Sequence, residues 1–415
     1  MHSSPAGERE STIGPRVRTG LDCLRVDARA AALLRRSRVG VLAHAASVDR
    51  RLVHLGRVLD ELSIPVVVAF APEHGYGGEA QDMVRIADRS DKAGTPIRSL
   101  YGQSFDDLSP KGEDLAAIDV LVIDLQDVGS RYYTFVWTAV LAMRACARAG
   151  VRVVVLDRPN PIGGDLLRIE GRMQTPSLCS FVGLEPLPVR HGLTLGEIVA
   201  WRAEVEAVPA RMMGVIHATG WDRADSAPRW DRPFVMPSPN MPTYETALVY
   251  PGGCLLEGTN LSEGRGTTRP FEIVGAPWID GARLADDLDD LSLPGFRPRP
   301  LGFVPTFHKH AGVTCGGVQI HVTDPVVFRP YATYLALIAL ARAQDPLAFR
   351  FRTEKYEFRD DVPAFDLLTG SAEARESILR GDPPLRVAEC ASAVDEADRA
   401  VVKLAVEAGR ARAME

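Results

Sequence analysis

One short stretch, residues 64–78, limits the folds open to this chain more than any other, and it reads IPVVVAFAPEHGYGG. Its first half is a run of β-branched and aromatic residues without polar alternation, which is typical of a strand covered on both faces of a parallel sheet. Pro72 ends the run, Glu73 and His74 follow, and three glycines then allow the backbone to turn tightly. Because ligands bind outside the carboxyl ends of parallel strands, the sequence predicts that Glu73 lies in a binding site.

Further apolar runs alternate with helical segments and predict the rest of this sheet. Residues 38–43, 118–125 and 151–156 read as buried strands, whereas residues 26–36, 52–62 and 135–149 read as helices, with Ser47 placed to cap the second of them. Strands that alternate with helices indicate an α/β fold built on a doubly wound parallel sheet.

All four predicted strands end in polar residues. The residues at or just after these ends are His44, Glu73, His74, Gln126, Asp127, Arg131, Asp157, Arg158 and Asn160. Right-handed crossovers place all four ends at one edge of the sheet. Imidazole, carboxylate, amide and guanidinium groups gathered there indicate a pocket for a polar, hydroxyl-bearing ligand.

Two segments further along the chain supply other candidates. Residues 237–242 are too rich in proline for a helix or a central strand, so they predict a rigid loop that presents Asn240. The T-x-x-E spacing of Thr194 and Glu197 predicts a capping box at the start of a helix, and His191 lies just before it.

The second half of the chain has its own polar, glycine-rich segment, residues 252–271. Its charged and amide residues are Glu257, Asn260, Glu263, Arg265 and Arg269. Glycines between these residues suit a loop folded over a ligand, although a solvated face would have the same composition. The helices and the period-2 strand over residues 315–322 that follow indicate a smaller α+β unit.

Charge and composition argue against several classes of protein. A net charge of −6 and a pI near 5.9 argue against nucleic acid or an anionic membrane as the main partner. No apolar run approaches the roughly 20 residues of a membrane span. The first twenty residues lack the apolar core of a secretory signal, so we expect a cytoplasmic protein.

Metal and cofactor sites are not predicted. The six cysteines are scattered without a CxxC pair, and His308 and His310 alone are too few for a metal site. Residues 75–80 match the dinucleotide fingerprint G-x-G-x-x-[GA], but residues 81–91 lack the helical periodicity that should follow it. A nucleotide-dependent oxidoreductase is therefore the weaker alternative.

The chemistry of the strand ends fits glycoside hydrolysis better. Such enzymes use one carboxyl group to protonate the leaving oxygen, together with a second group that acts as nucleophile, base or stabiliser. Glu73, at the end of an apolar strand and flanked by groups that bind hydroxyls, suits the first of these roles.

A series of motifs resembles the exo-β-N-acetylmuramidase family NamZ. The matching segments are APEHGYGG (71–78), SLYG (99–102), DLQDVGSRYYT (124–134), LDRPNPIGG (156–164), SFVGLEPLPVRHGLTLGE (180–197), PSPNMPT (237–243), YPGGCLLEGTNLSEGRGTTRPFEIVGAPW (250–278) and CGGVQIHV (315–322). The resemblance spans roughly residues 20–410. It implies a Rossmann-like catalytic domain, a smaller α+β auxiliary domain, and a site in the cleft between them.

The resemblance also implies an activity and a division of the chain. The family releases terminal N-acetylmuramic acid from the non-reducing end of peptidoglycan fragments, so muropeptides or the MurNAc-GlcNAc disaccharide are the expected substrates, without a cofactor. We expect a flexible tail over residues 1–20, the catalytic domain over residues 21–245 and the auxiliary domain over residues 246–415.

Site residues follow from the same motifs. The PEHG glutamate of the family maps onto Glu73, which is implied to be the general acid. The residues implied to line the cleft are His74, Gln126, Asp127, Arg131, Tyr132, Asn160, His191, Asn240, Asn260, Glu263 and Arg265. The second catalytic group stays open between Asp127, Glu263 and the substrate's own 2-acetamido group. A guanidinium, from Arg131 or Arg265, is the expected partner of the lactyl carboxylate of the sugar.

One departure from the family pattern concerns sugar preference. Where the family usually has a Thr-Asn pair after the first strand, this chain has Ala43-His44. We expect His44 to contact the sugar, so the preference could differ. A non-catalytic muropeptide-binding protein that uses the same cleft is the alternative function.

Overall fold

The first half of the chain folds into a seven-stranded sheet that is covered by helices. The computed structural model describes residues 17–78, 80, 81, 84, 87–90 and 94–414. The strands are β1 (Val39–Ala43), β2 (Val66–Ala71), β3 (Arg89–Ser90), β4 (Pro96–Ser99), β5 (Val120–Asp124), β6 (Arg152–Leu156) and β7 (Met213–Ile216). The helices are α1 (Gly20–Leu24), α2 (Ala28–Arg35), α3 (Leu55–Glu61), α4 (Gly112–Leu115), α5 (Phe135–Ala149) and α6 (Leu195–Val205).

The strand order of this sheet is β3-β4-β2-β1-β5-β6-β7, and every pair except β3–β4 is parallel. The chain moves outward from β1 in one direction through β2 and in the other through β5, β6 and β7. The predicted Rossmann-like, doubly wound sheet is therefore confirmed, and the carboxyl ends of β1, β2, β5 and β6 meet at one edge.

Local sequence signals set the ends of several helices. The helix predicted over residues 135–149 is α5, and Gly150 ends it with a left-handed φ of 73°. α6 begins with the predicted capping box, in which Thr194 accepts from the Glu197 N–H. The prediction for Ser47 was wrong: its hydroxyl donates to the Asp124 carbonyl at 2.5 Å, and His54 caps α3 instead.

The second half of the chain is the smaller α+β unit that the sequence predicts. Its elements are α7 (Tyr244–Gly253), β8 (Ile273–Ala276), α8 (Gly281–Asp290), β9 (Phe296–Phe303), β10 (Cys315–Val322), α9 (Pro330–Gln344), α10 (Ala364–Thr369), α11 (Glu373–Arg380), α12 (Pro384–Ser392) and α13 (Glu396–Ala411). The three strands form an antiparallel sheet in the order β8-β10-β9.

Both ends of the described chain return to the first sheet. α13 packs on α6, and the Met414 N–H donates to the Val215 carbonyl on β7 at 2.9 Å. At the other end, Arg18 pairs with Thr219, and Thr19 caps α1. Residues 17–20, which we expected in the flexible tail, are therefore packed, while residues 1–16 lie outside the described residues. The proposed division near residue 245 stays a prediction.

The segment after β2 bears on the oxidoreductase alternative. Residues 75–78 form turns rather than the first turn of a helix, so the context of a dinucleotide fingerprint is missing at these positions.

Across the ranges that the structure describes, no helix has both the length and the apolar character of a membrane span.

Candidate active site

A cleft lies between the two halves of the chain, and both contribute to its wall. Of the residues that the NamZ motifs implied for the cleft, five line it: Glu73, His74, Tyr132, Asn240 and Arg265. Further lining residues are Tyr133, Thr134, Ser238, Tyr250, Glu257, Tyr356 and Glu357. The cleft therefore combines three carboxyl groups, a guanidinium and several phenol rings.

Glu73 is fixed at the carboxyl end of β2. The residue is 5% exposed, and the Thr134 hydroxyl at the start of α5 donates to its Oε2 at 2.9 Å. His74 has a φ of 69°, a left-handed conformation that is uncommon outside glycine, and its Nδ1 lies 2.9 Å from the Ala80 carbonyl oxygen. The sharp turn at His74 takes the chain away immediately after Glu73, and the carboxyl group stays in the wall of the cleft.

Aromatic side chains form much of the remaining wall. The rings of Tyr133 and Tyr250 meet edge to face at 6.0 Å, and Tyr250 meets Phe271 in the same way at 4.9 Å. Burial raises the pKa of Tyr132, Tyr133 and Tyr250 well above the ordinary value, so these phenols stay neutral. Such rings offer apolar faces together with hydroxyl groups, a combination that suits a sugar.

Arg265 is the cation that the second half brings to the cleft. Its Nη2 donates to Glu257 Oε1 at 2.7 Å and its Nε to Glu263 Oε1 at 3.0 Å. The other carboxylate oxygen of Glu257 accepts from the Tyr356 hydroxyl at 2.7 Å. The guanidinium is thus held in one orientation by two carboxylates.

Glu263 lies behind Arg265 rather than in the wall. Lys309 Nζ lies 2.9 Å from its Oε2, and His308 Nδ1 lies 3.1 Å from its Oε1. Burial alone would raise the pKa of Glu263, but the charge of Lys309, the hydrogen bond from His308 and the charge of Arg265 outweigh it and lower the pKa well below its usual range. Glu263 is therefore a permanent anion that orients Arg265.

Comparison with known proteins identifies the family of the chain. Two family models match it: exo-beta-N-acetylmuramidase NamZ, N-terminal, over residues 39–245, and exo-beta-N-acetylmuramidase NamZ, C-terminal, over residues 248–396. The chain belongs to the NamZ family.

Relatives support this assignment. A peptidoglycan beta-N-acetylmuramidase NamZ from Bacillus subtilis (strain 168) is 39% identical over 381 residues, which cover 91% of this chain and 88% of that protein. Two crystal structures of DUF1343 family proteins from Bacteroides fragilis have the same fold. One has a TM-score of 0.81 at 28% identity and covers 96% of this chain and 99% of its own. The other has a TM-score of 0.67 at 25% identity and covers 96% and 98%.

Two residues expected from the NamZ motifs, Asp127 and His191, lie behind the cleft wall. Asp127 Oδ2 accepts from the Gly129 N–H at 2.8 Å and lies 3.4 Å from His191 Nε2, while His191 Nδ1 accepts from the Leu193 N–H at 3.0 Å. Among the described residues, Asp127 Oδ1 is buried without a hydrogen-bond partner. A catalytic role for Asp127 stays a prediction, and these contacts show it bracing the loop after β5.

Arg131, one of the two arginines considered for the lactyl carboxylate, points into the protein interior. It is fully buried, its Nη1 donates to the Leu187 carbonyl at 2.7 Å, and its Nη2 donates to the Leu368 carbonyl at 2.8 Å. Burial lowers the pKa of Arg131 from its ordinary value. The structure therefore places it as a link between the two halves and leaves Arg265 as the arginine in the cleft wall.

Three amide side chains from the NamZ motifs bind backbone carbonyl groups. Gln126 donates to Asp127 at 2.8 Å, Asn160 to Leu193 at 3.0 Å and Asn260 to Ala348 at 2.9 Å. The structure does not bring these amides to the cleft wall, whereas Asn240 lines it and donates to Gln81 Oε1 at 2.7 Å.

His44 occupies the edge of the sheet between β1 and β5. Its Nε2 lies 3.1 Å from the Gln126 N–H nitrogen and accepts from it, and its Nδ1 lies 3.2 Å from the Pro237 carbonyl, so the network requires the proton on Nδ1. Burial and then the charge of Arg158 lower the pKa of His44 to about 3. Its position supports a structural link to the 237–242 loop rather than the predicted contact with the sugar.

This burial gives His44 a measurable effect on pH-dependent stability. An imidazole that stays neutral in the fold but titrates near 6.5 when unfolded stabilises the fold above that pH, and this contribution disappears as the pH falls. Between pH 7 and pH 4 we expect wild type to lose roughly 3 kcal/mol more unfolding free energy than His44→Gln. Urea unfolding at several pH values measures the difference. His321→Gln, at an exposed position on β10, should follow the wild-type pH slope, and a parallel slope for His44→Gln would contradict the neutral, buried imidazole.

Several wall residues were not among those that the sequence assigned to the site. Thr134 and Tyr133 lie inside a recognised motif, and Glu257 lies in the glycine-rich segment, so a signal existed for all three. Tyr356 and Glu357 lie in a segment without a motif or periodicity, and their place in the site follows only from the fold.

Proposed function

We propose that this chain is an exo-acting glycosidase that releases terminal β-linked N-acetylmuramic acid from the non-reducing end of peptidoglycan fragments, with Glu73 as the general acid. The observation that carries the proposal is the buried Glu73 carboxyl group in the wall of a cleft formed by both halves of a NamZ-family chain. The Bacillus subtilis relative carries the name peptidoglycan beta-N-acetylmuramidase.

The geometry around Glu73 suits proton donation. A general acid must hold its carboxyl group towards the glycosidic oxygen. The Thr134 hydroxyl donates to Glu73 Oε2 at 2.9 Å, and this hydrogen bond fixes the orientation of the carboxyl group. When the bond between C1 and the leaving oxygen breaks, the proton of Glu73 passes to that oxygen. The tyrosine rings of the same wall offer apolar faces to the sugar ring.

Arg265 is our candidate for recognising the muramic acid itself. N-acetylmuramic acid differs from N-acetylglucosamine by a lactyl group that ends in a carboxylate. A guanidinium binds a carboxylate through strong charge-assisted hydrogen bonds, and Arg265 is already oriented by Glu257 and Glu263. A MurNAc-GlcNAc disaccharide without a stem peptide presents this carboxylate at the non-reducing end.

The test compares two sugars and two enzymes. Wild type should release aryl alcohol from a chromogenic β-N-acetylmuramide with a higher kcat/KM than from the matching β-N-acetylglucosaminide. Arg265→Lys keeps the charge beside Glu257 and Glu263 but loses the planar fork, so its kcat/KM should fall about 10- to 100-fold on the muramide and much less on the glucosaminide.

The control is Arg269→Lys, four residues further along the same segment, where the side chain is 43% exposed. This variant should leave both rates unchanged. Equal losses on the two sugars in Arg265→Lys would remove the lactyl role. Tight binding of muropeptides by a wild type that turns over no β-muramide would instead favour the non-catalytic binding protein.

A further inference from the structure

Glu357 stands at the tip of a tight hairpin in the cleft wall. Tyr356 and Arg359 exchange two backbone hydrogen bonds, of 2.8 and 3.0 Å, so Glu357 and Phe358 are the two central residues of the turn. Their φ angles are 44° and 68°. Such turns usually carry asparagine, aspartate or glycine at these positions, because a left-handed backbone is unfavourable for other residues.

The surroundings hold this unfavourable turn in place. The Phe358 ring packs against Tyr101 at 5.9 Å and Phe181 at 6.0 Å. Arg359 donates to the Asp361 carboxylate at 2.6 and 2.7 Å. Strained backbone persists only where its surroundings enforce it, and it occurs preferentially at functional sites. The turn thus makes Glu357 a candidate for a functional role, which its place in the cleft supports.

The carboxyl group of Glu357 faces the same cleft as Glu73. The residue is 6% exposed and lines the wall, and the Tyr101 hydroxyl donates to its Oε2 at 3.2 Å. Tyr101 belongs to the first half of the chain, in the SLYG motif. The contact therefore holds a carboxyl group from the second half in a site whose acid comes from the first.

Glu257, the third carboxyl group of the wall, lies beside Arg265. One oxygen is ion-paired with Arg265 and the other accepts from the Tyr356 hydroxyl. These two contacts hold Glu257 beside Arg265, so Glu257 acts as a positioning residue for that guanidinium.

We propose that Glu357 is the second catalytic carboxyl group, an inference that rests on the proposed function. In the reaction, the bond from C1 to the aglycone oxygen breaks, and that oxygen takes the proton of Glu73. A water oxygen bonds to C1 on the opposite face, and the proton that this water loses goes to the carboxylate of Glu357. Such a single displacement inverts the configuration at C1.

Substrates with different leaving groups distinguish the role of Glu73 from that of Glu357. Wild type, Glu73→Gln and Glu357→Gln are assayed on a β-muramide with a sugar leaving group and on one with an activated dinitrophenyl leaving group. Glu357→Gln should lose at least about 100-fold in kcat on both substrates, because activation of water is needed in either case. Glu73→Gln should have a kcat close to that of wild type on the activated substrate, since the dinitrophenolate leaves without a proton.

Chemical rescue and product analysis complete the test. Azide should restore turnover of the activated substrate by Glu357→Ala and yield the α-glycosyl azide, and proton NMR of the wild-type reaction should show the α anomer first. A β-azide, or a β anomer formed first, would overturn the proposal. Failure of the proposed function is distinguishable from this, because wild type would then release no N-acetylmuramic acid at all.

Two control variants address folding. Glu354→Gln, at an exposed position three residues earlier, should behave as wild type. Glu357→Asn places in the turn a residue that tolerates the left-handed conformation, so it should raise the Tm while it removes activity. Near-normal kcat in Glu357→Gln, or loss of activity in Glu357→Ala without azide rescue, would contradict the catalytic assignment.

Discussion

Glu73→Gln is expected to lower kcat/KM for a β-muramide with a sugar leaving group by about 10²- to 10⁴-fold, the usual contribution of a general acid. Glutamine has the same shape and can still accept the hydrogen bond from Thr134, so the wall of the cleft should keep its form. What the variant loses is the proton for the leaving oxygen. The loss should therefore grow as the leaving group becomes more basic.

The measurement is a series of aryl β-muramides whose phenols span a range of pKa. In Glu73→Gln the logarithm of kcat/KM should depend steeply on the phenol pKa, while wild type shows a shallow slope. Glu245→Gln, at an exposed position on α7, serves as the matched control. A Glu73→Gln enzyme with near-normal activity on every substrate would remove Glu73 from the role of general acid.

Arg158→Leu is expected to destabilise the fold by about 3–5 kcal/mol, because it leaves a buried carboxylate without its partner. Arg158 binds Asp124 through two hydrogen bonds, 2.5 Å from Nε to Oδ1 and 2.9 Å from Nη2 to Oδ2, and the two side chains are 3% and 0% exposed. The pair joins the carboxyl ends of β5 and β6. Urea denaturation, followed by circular dichroism, measures the loss.

The same sheet offers a matched control at its opposite edge. Arg38 pairs with Asp119 just before β1 and β5, but these side chains are 57% and 47% exposed. Water screens that pair, so Arg38→Leu should change stability little. The double variant Arg158→Leu/Asp124→Leu should recover much of the lost stability, since no buried charge is left alone. Equal losses in Arg38→Leu and Arg158→Leu would show that burial does not set the strength of these pairs.

β1, β2, β5 and β6 and the helices α2, α3, α5 and α6 followed from the sequence because local patterns decide them, whereas β3, β4 and β7 were not predicted. A short apolar run between turn residues can only be a buried strand or helix, and Gly150 and the Thr194 capping box mark helix ends within a few residues of sequence. Glu73 could be found in the same way. It comes two residues after the end of β2, so the local sequence alone places it at the carboxyl edge of the sheet. Contiguous motifs likewise sufficed to indicate the NamZ family.

The polar residues at the other strand ends could not be assigned in this way. The sequence grouped His44, Asp127 and Arg158 with Glu73 at one edge of the sheet, and the edge does gather them. At that edge, however, His44 binds Gln126 and Pro237, and Arg158 binds Asp124. Whether a polar side chain binds a ligand or another protein group depends on partners that are distant in sequence. At this edge, protein groups form hydrogen bonds with most of the polar side chains.

Tertiary structure alone brought Glu357 to the cleft. Tyr101 and Glu357 are 256 residues apart in the chain, and no periodicity or spacing relates two positions at that distance. Their contact depends on how the smaller α+β unit packs against the first sheet and on a strained turn that only its surroundings can hold. The sequence by itself determined β1, β2, β5 and β6, the helices α2, α3, α5 and α6, and the position of Glu73, because these depend on neighbouring residues. The packing of the two halves decided which side chains face Glu73 across the cleft.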